Sequence, residues 1–254
     1  MEHPIPDPLE ESPASIETPL AEAYRQLRFF AIDLKAALDR ERKRTAELEA
    51  AYHDAVVRLT AAARLRDEEM GDHLDRIARL VELLALGLGL PAAEAKTLAA
   101  ASTLHDVGKI GLQDNLLHKP GRLEEHETEL MRQHTTIGAR VLEGSPSPLL
   151  KLAREIALSH HENWDGTGYP FGLAGEAIPL AARVVKLADT YDALRSVRSY
   201  KPAYDHETAC RIILEGDSRT LPQHFDPDLL ELFRRTHDQI EATWQQSKPE
   251  PHHP

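Results

Sequence analysis

The chain has one cysteine in 254 residues. That scarcity excludes a disulfide framework and a zinc site built on a CxxC pair. The residue, Cys210, sits in the apolar helical stretch TACRIIL, where a buried, unreactive thiol is expected. Long hydrophobic runs are missing as well. The most apolar one, LVELLALGLGL over 80–90, holds Glu82 and is too short to span a bilayer. The first 20 residues are acidic and carry Pro4, Pro6, Pro8, Pro13 and Pro19, so they do not read as a signal peptide. A cytoplasmic protein with no membrane partner is expected. Positive charge is in deficit: the formal net charge is −12. General nucleic-acid binding needs a broad basic face and is therefore not expected. An anionic substrate remains compatible with a pocket that is locally positive.

What is present is helical periodicity. Residues 1–19, rich in Pro, Glu and Ser, are expected to be disordered. From Leu20, alternate steps of four and three give Leu20, Tyr24, Leu27, Ala31, Leu34 and Leu38, and later Leu48, Tyr52, Ala55 and Leu59. Only Glu41 and Thr45 interrupt this stripe, and no Gly or Pro falls inside it. The spacing is that of a heptad seam, so 20–65 is predicted to be one long helix. It forms either a dimerising coiled coil, the reading favoured here, or an amphipathic helix docked on its own domain. From 66 onward the pattern stays helical. Pro91 marks a helix start, and LLKLAREIALSHH and PLAARVVKLADTYDALRS read as further helices. Loops are placed at 111–122, 162–180 and 196–206. No strand pattern of useful length occurs, so the fold class is all-α.

Chemistry concentrates in a few places. Glu69 and His73 are four apart and share a helix face, but alone such a pair is usually a solvated surface. It is followed by His105-Asp106, His134, His160-His161 and Asp189. His and carboxylate groups are the ligands that divalent transition metals take from a protein, so their accumulation points to a multi-metal hydrolytic centre. His105 and Asp106 end an apolar helix. A C-terminal cap at Gly108 explains the glycine there but not the charged pair. Adjacent helical residues diverge by about 100°, so His160 and His161 can face different metals. Asp189 lies within an apolar helix, where a buried carboxylate is costly unless paired or metal-bound. Asp192 is either an orienting partner or a plain helix–helix hydrogen bonder. The other nine histidines, His206, His224 and His237 among them, read as surface or tail residues.

The ordered series HDVGKIGLQDNLLHKPGRL, MRQHTTIG, SHHENWDGTGYP, LAGEAIPLAARVVKLADTYDAL and SVRSYK resembles the HD-GYP family over about residues 66–235. That family is a branch of the HD-domain metal-dependent phosphohydrolases. The resemblance implies an HD-type helical bundle with additional C-terminal helices, here a catalytic domain over 66–240 with a tail over 241–254. It implies hydrolysis of the bacterial second messenger cyclic di-GMP to pGpG, GMP or both. Two or three divalent metals are implied, iron first and manganese as the alternative. The implied ligands are Glu69, His73, His105, Asp106, His134, His160, His161 and Asp189, with Asp106 bridging two metals and Glu69 favouring a third. Lys109, Tyr169, Arg198 and Lys201 fall at the family's substrate-contacting positions. Metals of this kind make hydroxide available near neutral pH. Lys109 can neutralise a phosphate or assist the leaving oxygen, and Arg198 can grip a phosphate through its fork of donors.

Gly166, Gly168 and Pro170 read first as turn chemistry. In the family this loop also borders the substrate and is linked to diguanylate cyclase partners, and Tyr169 is placed to stack on a guanine. The sequence departs from the family at Gln113, Val197 and Ser199, where proline, aspartate and proline are common. It also departs in a lengthened stretch, GDSRTLPQHFDP. GLGLPA over 87–92 matches a loose dinucleotide fingerprint but follows a helix rather than a strand, and is discarded. A non-catalytic signalling module that binds nucleotide or a cyclase is the competing reading. A generic HD nucleotidase leaves the GYP segment unexplained.

Overall fold

A computed structural model describes residues 13–64, 73–197 and 203–246. The described residues are all-α, with short 3-10 turns and no β-strand, and the chain divides into two compact units, Met1–Ala55 and Val56–Pro254. None of the described helices is long and apolar enough to cross a membrane.

Helix α1 spans Pro13–Arg64. It begins before Leu20, so part of the segment expected to be disordered is helical. Pro13 suits a first helical position, where its missing N–H costs nothing. In the first unit the apolar stripe faces solvent: Leu20, Tyr24, Leu27, Leu34, Leu38 and Leu48 are each more than half exposed. Phe29, Phe30 and Ile32, off the stripe, are equally exposed.

The second unit contains the remaining helices: α2 (His73–Gly87), α3 (Ala92–Ser102), α4 (Asp114–Leu117), α5 (Glu125–Arg132), α6 (His134–Val141), α7 (Pro148–Ser159), α8 (Leu180–Arg195), α9 (His206–Glu215) and α10 (Pro227–Gln245). Local chemistry sets several of their starts. Pro148 and Pro227 occupy first turns. Asp205 accepts from the Thr208 N–H at 2.7 Å at the head of α9. Glu124 and Glu127 form a reciprocal capping box at α5.

Helix α2 buries His73, Leu74, Ile77, Leu80, Val81, Leu84 and Ala85, one face at spacings of three and four. That face packs on α3, α8 and α10, while α6 packs on α7 and on the turn Val107–Gly111. The apolar stripe of α2 thus ends in an imidazole, which the core delivers to the site. The segment 111–122, expected to be a loop, contains α4. The tail expected from 241 starts later, because α10 runs to Gln245 and buries Trp244 in the core.

Candidate metal centre

His105 and Asp106 do not end a helix. α3 stops at Ser102, and the pair lies in the turn leading to the 3-10 segment Val107–Gly111. Gly108 is not a left-handed cap either, since its φ is not among the positive values. It is glycine because the backbone of α6 lies against it. A Cβ there would stand 1.9 Å from the His134 carbonyl oxygen and 2.4 Å from the Gly138 nitrogen. This contact sets His105-Asp106 beside His134, the first residue of α6. His160 and His161 follow the last residue of α7, and Asp189 projects from α8.

These elements bring together seven of the eight residues marked by the motifs. Asp106, His134, His160 and His161 form one group, and His73, His105 and Asp189 another; within each, the donor atoms lie within 4.8 Å of one another. Glu69 lies outside the described residues. Asp106 joins the groups. Its Oδ1 is 3.2 Å from His134 Nε2 and 3.7 Å from His160 Nε2, whereas Oδ2 is 3.4 Å from His105 Nε2.

Four imidazoles are oriented through the other ring nitrogen. Nδ1 of His105 meets the Ser102 carbonyl at 2.8 Å, that of His134 the Met131 carbonyl at 2.8 Å, and that of His160 the Ile156 carbonyl at 3.0 Å. Nδ1 of His73 meets Asp192 Oδ2 at 2.6 Å. A proton held at Nδ1 leaves an Nε2 lone pair aimed inward, as metal-ligating histidines have it. His105 Nε2 and Asp106 Oδ1 are buried with no hydrogen-bond partner. Such orphaned atoms are costly unless something fills their valence, so the donor set fits a divalent metal.

The electrostatics agree. Burial pushes His134 down to about 4 and His161 well below its usual range, which keeps both rings neutral. Burial also opposes charge on Asp106, but Lys109 and His105 outweigh it and hold the carboxyl well below its usual range. At His105 burial is overcome by the Asp106 carboxylate, and the pKa rises to about 9.

Asp192, left open by the sequence, orients His73. It is the most buried carboxylate of α8, held by His73, by both Nε and Nη2 of Arg76, and by Trp244 Nε1 at 2.6 Å. Asp189 is less buried. Burial raises the Asp192 pKa, but the His73 and Arg76 hydrogen bonds outweigh it and depress it strongly. The group therefore stabilises the fold above the unfolded carboxylate value of about 4, and that contribution fades as pH falls below it. Asp192→Asn is expected to cost about 3 kcal/mol at neutral pH and to weaken metal binding at least ~10-fold through His73. Urea melts at neutral and acid pH, with chelator competition, check this; the stability difference should shrink on acidification.

Around the cluster, Lys109 Nζ binds Asp106 Oδ2 at 2.8 Å. The Tyr169 ring stacks on His161 with centroids 4.7 Å apart and has the Arg132 guanidinium over it. The ring placed for guanine stacking therefore already has protein partners. The GYP loop closes on Glu162, whose buried carboxylate accepts the Phe171 N–H at 2.8 Å and the Leu173 N–H at 3.1 Å. Gly168 presses on this strut, since a Cβ would meet the Asn163 nitrogen at 2.2 Å. Beside His161 opens a cavity of about 250 Å³ lined by Arg132, Tyr169, Lys186, Arg219 and His224 among others. Burial lowers Lys186 to about 8. The acidic chain does carry a locally cationic cavity, yet Arg132 and Lys186, which lie inside the quoted motifs, and Arg219, in the lengthened stretch before FDP, were not among the expected site residues. Arg198 and Lys201 lie outside the described residues.

A family model described as HD domain matches residues 58–229. The chain belongs to the HD domain family, in its HD-GYP branch. It is 44% identical over 201 residues to a cyclic di-GMP phosphodiesterase of Vibrio cholerae, a match covering 74% of this chain and 40% of that protein. It is 40% identical over 189 residues to the 3'3'-cGAMP-specific phosphodiesterase 2 of the same organism, covering 74% and 35%. The chain thus spans less than half the length of these curated relatives. The solved structure of a cyclic GMP-AMP specific phosphodiesterase from V. cholerae shares the fold, with a TM-score of 0.53 at 21% identity over 77% of this chain and 52% of that one.

Proposed function

We propose that the chain is a metal-dependent phosphodiesterase that hydrolyses cyclic di-GMP in the bacterial cytoplasm to pGpG, GMP or both. The observation that carries this reading is Asp106, a buried carboxylate with one oxygen toward each of two histidine groups. Glu69, His73, His105, Asp106, His134, His160, His161 and Asp189 are the ligands in this proposal, and iron or manganese the metal. Two ions are expected from the two groups, with Glu69 available to a third. When bound, the metals lower the pKa of water and polarise a phosphoryl oxygen.

The chain's own residues do the rest. Backbone carbonyls and Asp192 fix the ring tautomers. Lys109 balances the Asp106 charge and is placed to reach a phosphate once a metal competes for that carboxylate. Arg198 and Lys201 are assigned to the second phosphate. Arg132, Lys186 and Arg219 give the adjoining cavity the sign a cyclic dinucleotide requires. The exposed stripe of α1 is assigned to a parallel homodimer. The GYP loop, whose Phe171 is exposed, is assigned to a diguanylate cyclase partner. In this scheme 20–65 is the dimerising helix and 66–240, extended to Gln245, the catalytic domain.

The test is product analysis on the full chain, purified without oxygen and supplied with iron or manganese, using cyclic di-GMP and 3'3'-cGAMP in parallel. Release of pGpG or GMP from cyclic di-GMP, stopped by a chelator, is the expected result. Preference for 3'3'-cGAMP would move the substrate while keeping the reaction. Tight dinucleotide binding with no cleavage by fully metallated protein would replace the enzyme with a binding module.

A further inference from the structure

The cavity beside His161 holds two cations that the described residues leave uncommitted. Arg132 is engaged: its guanidinium bonds Glu129 at 2.6 Å and covers the Tyr169 ring. Lys186, on α8, and Arg219, in the lengthened stretch before FDP, line the same cavity. Neither cationic head forms a hydrogen bond or ion pair among the described residues. We propose that Lys186 and Arg219 form a guanine-reading pocket, in which their donors meet O6 and N7 of one base of a cyclic dinucleotide and disfavour adenine there. The proposal rests on the reading of the chain as a cyclic-dinucleotide phosphodiesterase.

The fold attaches this pocket to the metal centre. Lys186 stands three residues before Asp189 on α8, so both project from one helix face. His161 is at once a wall of the cavity and a member of the Asp106 group. Arg219 is carried by a turn that its own hydrogen bonds hold. Asp217 Oδ1 accepts the N–H of Arg219 at 2.8 Å and that of Thr220 at 2.7 Å, and the Asp217 N–H donates to the Thr220 carbonyl at 2.8 Å. The turn starts where α9 ends, at Gly216 with φ 95°. Its far end is tied to the GYP loop, because the Trp164 N–H donates to the His224 carbonyl at 3.0 Å. Phe225, next in the chain, is buried and lines the cavity. His224, expected at the surface, is half-buried and lines it as well. The lengthened stretch is thus a wall of the site rather than an outlying loop.

Size and polarity both select a base. The cavity, about 250 Å³, is smaller than the ~300–1,000 Å³ of sites for drug-sized ligands, so it admits one part of a dinucleotide and not the whole. In the proposed scheme the phosphates already have the metals, Lys109, Arg198 and Lys201. A base is what remains. Lysine and arginine heads only donate. The major-groove edge of guanine offers two acceptors, O6 and N7, whereas adenine sets its N6 amino donor beside N7. Two cations therefore pair with guanine and leave adenine with donor facing donor. Tyr169 is stacked on His161, so edge contacts rather than that ring carry the discrimination.

The test compares the full iron-loaded chain with Arg219→Ala, Arg219→Gln and Lys186→Gln. Three readouts are taken: kcat/KM for cyclic di-GMP and cyclic di-AMP, binding of their hydrolysis-resistant phosphorothioate analogues, and the linear isomer, pGpA or pApG, released from 3'3'-cGAMP. Wild type is expected to prefer guanine about tenfold or more in turnover and binding, and to open 3'3'-cGAMP to one isomer in excess. In Arg219→Ala and Lys186→Gln the guanine-to-adenine ratio should fall about tenfold, and the two isomers should approach equal amounts. Glutamine pairs with N6 and N7 of adenine, so Arg219→Gln should bind the cyclic di-AMP analogue more tightly than Arg219→Ala does, a gain that no folding defect produces. Equal losses for both dinucleotides in Arg219→Ala would make Arg219 a general anion contact and overturn the pocket, leaving the phosphodiesterase reading in place. An unchanged ratio would do the same. Guanine-selective binding without cleavage would keep the pocket and overturn the phosphodiesterase. Neither binding nor cleavage would overturn both.

Discussion

Asp106→Ala is expected to lose at least one metal ion per chain and to lower hydrolysis about 10³-fold or more. Each oxygen of this carboxylate faces a different histidine group, so one substitution removes a donor from both. Loss of metal polarisation and of activated water removes several kcal/mol of transition-state stabilisation, and each 1.4 kcal/mol is about tenfold in rate. The helical fold should survive, since the neighbouring core of α2, α3 and α8 is apolar and untouched. Metal analysis, circular dichroism and product assay on one preparation test this. Wild-type turnover in the variant would remove Asp106 from the centre of the account.

Gly108→Ala is the second large effect, and it acts through backbone. The added methyl would stand 1.9 Å from the His134 carbonyl oxygen and 2.4 Å from the Gly138 nitrogen. Neither atom can move without shifting α6. Overpacking against rigid neighbours costs about 3 kcal/mol or more, and for a domain of this size each kcal/mol lowers Tm by roughly 2–4 °C. A fall of about 6–12 °C is expected, together with loss of metal binding as His134 separates from His105-Asp106. Thermal melts and metal analysis check both parts. An unchanged Tm with full metal loading would mean that the turn and α6 are free to slide apart.

The two effects mark where the sequence was legible and where it was not. His73, His105, Asp106, His134, His160, His161 and Asp189 stand at motif spacings, and the fold does bring the seven together. The all-α architecture followed from helical periodicity and the lack of alternating runs. Gly108 was misread because a close backbone approach leaves no trace in local pattern. A cap and a contact both ask for glycine. The orienting role of Asp192 was undecidable because its partners are distant in the chain: Arg76 is 116 residues away and Trp244 52. The same Trp244 explains the misplaced tail, since its burial holds α10 in the core beyond residue 240. His206 and His237 carry no motif and meet only through the pairing of α9 with α10. Arg132, Lys186 and Arg219 come from three separate segments, and their shared cavity is a product of the fold alone.

The central claim is that hydrolysis depends on a metal centre shared through Asp106. The most direct measurement is cyclic di-GMP turnover during stepwise iron(II) addition to chelated, oxygen-free protein, with bound metal counted at each step. The account predicts no product without metal and turnover that rises as the second ion binds. Full turnover in metal-free protein, or at a single ion per chain, would contradict it.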